Sequence, residues 1–206
     1  MRNTGDKRSR ERKGCMVLEK FLKTYTRQVS SAWFYILILA VMLFCLMAYL
    51  ERRGLPRRRG SPLGTVLSRG LMAVSLAGIL ALTLCGRELG SRMGGRFQFI
   101  PFWSYWRTFT QGDEGLGIQI VNNILLFIPF GFALPLNFPR FKKLRYIILA
   151  GALLSLTVEL VQGFTGLGLC EIDDVMGNTL GAGIGGWLWF YCTKSNKNPR
   201  RQRGNF

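Results

Sequence analysis

Long apolar blocks, separated by short polar and mostly basic stretches, run along this chain from Trp33 to Tyr191. Four of them are "WFYILILAVMLFCLMAYL" (Trp33 to Leu50), "IQIVNNILLFIPFGFALPL" (Ile118 to Leu136), "YIILAGALLSLTVELVQG" (Tyr146 to Gly163) and "VMGNTLGAGIGGWLWFY" (Val175 to Tyr191). A bilayer core takes about 20 apolar residues, so each reads as a spanning helix. A fifth block, "LMAVSLAGILALTLC" (Leu71 to Cys85), reaches that length if it starts near Leu63, with the Arg69 side chain extended to the headgroups. The expected fold is all-α, a polytopic membrane bundle of about five transmembrane helices. The flank "ERRG" after the first block offers no small-residue cleavage site, which favours an uncleaved helix over a signal sequence.

Charge adds orientation. The 206 residues carry 28 Lys and Arg against 11 Asp and Glu, a formal charge of +17. The basic residues sit between the apolar blocks rather than on one soluble surface, so no nucleic-acid partner is expected. If Glu51 to Arg69 is cytoplasmic, so are the loop "NFPRFKKLR" and the tail from Cys192, and together these hold 6, 4 and 5 basic residues, or 15. The opposite side holds 9 in the amino-terminal region and 4 between Gly86 and Gly117, or 13, a margin too small to set the topology. The residues "RERKG" before Met16 are types whose codons can be rich in A and G, as bacterial ribosome-binding sequences are. On that reading Met16 is the true start, six of the nine amino-terminal charges vanish, and the comparison becomes 15 to 7. The expected organisation is a basic region over 1–32, a first span over 33–50, a membrane domain over 63–191 and a basic cytoplasmic tail over 192–206.

Polar residues inside the spans carry the candidate chemistry. With a rise of about 1.5 Å per residue, Asn123 lies about 7 Å inside the start of its span, Glu159 about 6 Å before the end of its own, and Asn178 about 5 Å into the last. Successive spans alternate in direction, so all three fall in the same leaflet. Gln162 shares a helix face with Glu159, and Asn178 with Asp174. A carboxyl within a span costs about 2.5 to 3.5 kcal/mol on insertion scales, which makes Glu159 a functional candidate. Asp173 and Asp174 also suit a simpler role, capping the last helix through its free N–H groups. The candidate ligand-binding set is Asn123, Glu159, Gln162, Asp173, Asp174 and Asn178.

Around this set, Pro129 is expected to kink its span, and Gly177, Gly181 and Gly185 form a small-residue pattern suited to close helix packing. The segment "FQFIPFWSYWRTF" reads as an interfacial belt or a short helix lying in the headgroups. Histidine is absent, which excludes imidazole chemistry. The five cysteines show no C-x-x-C spacing, so neither a metal nor another cofactor is expected.

The order "FIPF", "NNILLFIPFGFALPL", "VELVQGF", "EIDDVMGNTLGAGIGG" resembles the VanZ-like family of bacterial membrane proteins, over Phe97 to Tyr191. Asn123, Pro129, Gly131, Glu159, Gln162, Asp173, Asp174, Asn178, Thr179 and Gly181 stand at the positions of the family pattern. One departure is that "GLGLCEIDD" has Glu171 in the first acidic place and no Arg before it. The resemblance implies a multi-pass protein of a bacterial cytoplasmic membrane, with the family's namesake lowering susceptibility to teicoplanin-type glycopeptides. It points to membrane lipids as partners, together with a lipid-linked envelope intermediate or a lipoglycopeptide held near the outer leaflet. The alternative is a membrane enzyme acting on a lipid-linked substrate through its carboxylates.

Overall fold

The computed structural model describes residues 32–49, 62–85 and 97–195, with Met16, Glu19, Leu22, Lys23 and Thr26. Nearly all of the basic 1–32 region, residues 50–61 and 86–96, and the residues from 196 lie outside the described residues. The elements are α1 (Ala32–Tyr49), α2 (Pro62–Thr83), β1 (Phe97–Gln98), α3 (Trp103–Gln111), α4 (Glu114–Asn137), a 3₁₀ turn (Pro139–Phe141), α5 (Leu144–Thr165), β2 (Cys170–Glu171) and α6 (Ile172–Ser195).

The all-α membrane bundle is as the apolar pattern implies, with a correction to the count. Among the described residues four helices, α1, α2, α4 and α5, are long and apolar enough to cross a membrane, rather than five. The exception is α6, which contains the expected span Val175 to Tyr191. Its 24 residues give it the length. Its five glycines between Gly177 and Gly186, with Asn178, dilute its apolar character. α2 starts at Pro62, where a missing N–H costs a helix nothing, so the second span does extend well ahead of Leu71. α4 continues as helix through Pro129 and Pro135.

The packed centre draws on four helices: Met72 and Ile79 from α2, Phe127, Phe130, Ala133 and Leu134 from α4, Ile147 and Val158 from α5, and Ala182 from α6. Within lipid, burial of apolar surface does not drive such packing, and close van der Waals fit takes its place. The fit is tightest between α4 and α6. A Cβ built on Gly181 would collide with the carbonyl oxygen of Ile124, one on Gly185 with that of Ile128, and one on Gly131 with that of Ala182. The pairings Ile124 with Gly181 and Ile128 with Gly185 advance together along both helices, so α4 and α6 run parallel. Gly151 of α5 meets the methyl group of Ala182 from the other side. Gly177, the first member of the expected pattern, has ordinary clearance, with Asn123 Cβ 3.6 Å from where its own Cβ would stand.

Polar bonds fasten the edges of this core. Asn137 Nδ2 donates to Ser68 O of α2 at 2.8 Å and to Ala133 O of its own helix at 2.9 Å.

Substituting Gly181 or Gly185 with Ala should therefore destabilise the protein by about 1–3 kcal/mol, because the colliding atoms are backbone and cannot rotate away. Gly70, whose Cβ would meet nothing within 4 Å, is the control. There Ala should be neutral or stabilising by up to about 1 kcal/mol, since glycine weakens a helix interior. Thermal unfolding of the purified variants in detergent reads both effects.

Candidate functional site

The amino-terminal end of α6 is where the acidic turn, α3 and the ends of α4 and α5 meet. The chain enters this region on β1, which pairs in parallel with β2 in the register Phe97 to Cys170 and Gln98 to Glu171. Glu159, near the end of α5, accepts the Glu171 N–H through Oε2 at 2.9 Å and so holds the turn from below.

Asp173 then binds a helix other than its own. Its Oδ1 accepts the N–H of Phe102 at 2.6 Å and its Oδ2 the N–H of Ser104 at 2.7 Å. These are amino-terminal donors of α3, whose N-cap Phe102 supplies no side-chain acceptor. The cap is supplied in trans, from 69 to 71 residues away in sequence. Phe102 has φ 63°, a left-handed conformation that costs a bulky residue about 1–3 kcal/mol, and the Asp173 carboxylate offsets part of that cost. Ser104 Oγ adds a donor to Glu171 Oε2 at 3.1 Å. The sequence reading has Asp173 cap α6; its carboxylate caps α3 instead.

Asp174 faces α4, where the Gln119 amide donates to both of its oxygens at 3.1 and 3.0 Å. One turn deeper, Asn178 Nδ2 donates to Ser155 Oγ of α5 at 2.8 Å. Gln162 turns toward α2 and donates to Thr83 O at 2.8 Å. Glu159, Gln162, Asp173 and Asn178 are each exposed by 4% or less.

The six expected residues thus divide. Asn123, Asp174 and Asn178 line the seam between α6 and its two neighbours, Glu159 and Asp173 fix the acidic turn and α3, and Gln162 ties α5 to α2. Gln119 and Ser155 complete the site and were not anticipated. Both were within reach of the same spacing rule, since Gln119 stands four residues before Asn123 and Ser155 four before Glu159.

Electrostatics register the crowding of carboxylates. Burial raises the pKa of the Cys170 thiol, and the charges of Glu159, Asp174 and Glu171 raise it further. The Tyr105 hydroxyl of α3 is raised by burial first, then by Asp173 and Asp174. Among the described residues, Asn122 Oδ1 and Asn178 Oδ1 are buried and make no hydrogen bond, while the Asn123 side chain lies beside Asp174. Among the described residues, no three acidic or cysteine side chains converge to hold a metal ion.

The exposed side of α3 is aromatic. Trp106 and Phe109 are 64% and 84% exposed, and Phe99, Ile100 and Phe102 stand open beside them. This is the arrangement expected of a short helix seated among headgroups.

Residues 32–193 match the family model VanZ/LLP1, a stretch that takes in α1 as well as the motif-bearing helices. The chain belongs to the VanZ/LLP1 family. It is 31% identical over 144 residues to Protein VanZ of Enterococcus faecium, an alignment covering 68% of this chain and 84% of that protein. No solved structure matches the chain. In this VanZ-family protein the pattern residues Gly131 and Gly181 make the close α4–α6 approach, while Asn123, Glu159, Asp174 and Asn178 gather at one end of it.

Replacing Asp173 with Ala should remove both capping acceptors of α3 and cost about 0.5–2 kcal/mol. Hydrogen exchange over residues 99–106 should accelerate, with the Phe102 and Ser104 amides leading. Unchanged exchange there would show that something else holds α3.

Proposed function

We propose that this protein is a cell-envelope factor of a bacterial cytoplasmic membrane that lowers susceptibility to teicoplanin-type glycopeptides. The seam between α4, α5 and α6 engages the polar head of an amphiphilic ligand, either a lipid-linked envelope intermediate or the lipoglycopeptide itself. The observation that carries this reading is Asn178, which is 2% exposed yet leaves Oδ1 without a partner among the described residues, one turn below Asp174. An unmet polar atom at membrane depth costs several kcal/mol and is retained where a ligand or water completes it.

Binding is preferred to catalysis because the buried carboxylates already hold the architecture. Glu159 positions the acidic turn, and Asp173 engages both of its oxygens with α3. The aromatic side of α3 then supplies an apolar surface, at the same end of the bundle, for the ligand's tail.

The test is susceptibility of a sensitive Gram-positive host expressing equal membrane levels of wild type, Asp174→Asn, Asn178→Ala and Glu159→Gln. Wild type should protect against teicoplanin but not vancomycin. Asp174→Asn and Asn178→Ala should lose most of that protection while still accumulating in the membrane. Absence of protection by wild type would overturn the envelope role, and full protection by both seam variants would overturn the site.

A further inference from the structure

At the opposite end of the bundle from the acidic turn, a groove of about 510 Å³ runs between the 3₁₀ turn and α5, lined by Arg140, Phe141, Tyr146, Leu149, Ala150 and Leu153. We infer that this groove binds one anionic phospholipid of the leaflet facing the α4–α5 loop, its acyl chain along α5 and its phosphate at Arg140.

The geometry separates a polar mouth from an apolar track. Tyr146, Leu149, Ala150 and Leu153 recur at helical spacing on one face of α5, and they extend about 10 Å along the helix axis away from the loop. Leu149 and Leu153 are 55% and 56% exposed, so the track is open to a chain lying alongside it. Ala150 and Phe141 form its floor and pack against the buried core. The volume falls in the range of ligand sites, which run to about 300–1,000 Å³.

Charge selects the head. The loop from Asn137 to Tyr146 carries Arg140, Lys142, Lys143 and Arg145 and no acidic residue. Arg145 is occupied, with its guanidinium 4.9 Å from the Tyr146 ring centroid and Nη2 3.3 Å from the Tyr146 hydroxyl. Arg140 makes no hydrogen bond or ion pair among the described residues, so its planar fork stands ready at the mouth for a phosphate diester. A zwitterionic lipid would offer the same chain and the same phosphate, but its ammonium would be repelled by the Arg140 guanidinium at the mouth. The groove therefore discriminates by net headgroup charge.

Native mass spectrometry of the full-length protein in detergent, with phosphatidylglycerol and phosphatidylcholine of identical chains in competition, tests the assignment. Wild type should retain one phosphatidylglycerol in preference to phosphatidylcholine. Arg140→Gln should reduce that preference about five-fold, the factor one basic residue supplies at an anionic surface. Leu153→Trp, which fills the track without altering charge, should reduce retention of both lipids. Lys143→Gln, in the same loop but outside the lining, should leave the preference unchanged. Equal retention of the two lipids by wild type would overturn the proposal. So would an Arg140→Gln protein that behaves as wild type, or a Lys143→Gln protein that loses as much as Arg140→Gln, which would assign the effect to the loop's general charge.

Discussion

The contact between backbones around Ala182 is the constraint on which the bundle depends. Ala182 has no exposed surface and is met from α4 by Gly131 and from α5 by Gly151. Gly181 and Gly185 bring α6 against the carbonyl oxygens of Ile124 and Ile128 at successive turns. Side chains at these points would push the helices apart, and the polar groups one or two turns away would no longer reach each other. The bond from Asn178 to Ser155 and the bonds from Gln119 to Asp174 both presuppose this separation. In lipid, where neighbouring helices gain little from excluding tails that are as apolar as themselves, such close fit is the available source of specificity.

That requirement also explains why α6 differs from its neighbours. A helix that crosses a bilayer on its own must be apolar all round, but one packed along one side against α4 and α5 is free to carry glycine on that side. Its glycines lower its mean hydropathy while shortening its distance to α4, so the feature that disqualifies it as an independent span is the one that seats it against its neighbour. The acidic residues in its first turn are placed by the same packing. Asp173 and Asp174 lie at the helix amino terminus, yet they serve partners outside the helix: α3 in one case and Gln119 in the other.

Four of the five expected spans were legible because apolar block length is a coarse signal set by the bilayer itself, while glycine-rich α6 was overcounted. The convergence of Asn123, Asp174 and Asn178 was legible for a related reason: depth along a helix follows directly from residue number. Rotation about each axis was not encoded so simply. Gln162 shares a face with Glu159, yet it bonds to Thr83 O of α2 while Glu159 bonds to the acidic turn. Nor could spacing show that Asp173 caps α3, since that pairing depends on the parallel strands Phe97–Gln98 and Cys170–Glu171 bringing distant segments together. Two-residue strands leave no periodicity to read. Gly177 shows the converse limit, in that it fits the small-residue pattern while standing clear of the contact that Gly181 and Gly185 make.

The resulting molecule is polarised from end to end. Glu159, Glu171, Asp173 and Asp174 gather where α6 begins, and Arg140, Lys142, Lys143 and Arg145 gather where α4 gives way to α5. Because α4 and α6 are parallel, the acidic end of one seam cannot be exchanged for the basic end without inverting the whole bundle. Through the α4–α6 pairing, the acidic turn and α3 stand at the opposite end of the bundle from the basic loop, whichever way the protein is inserted.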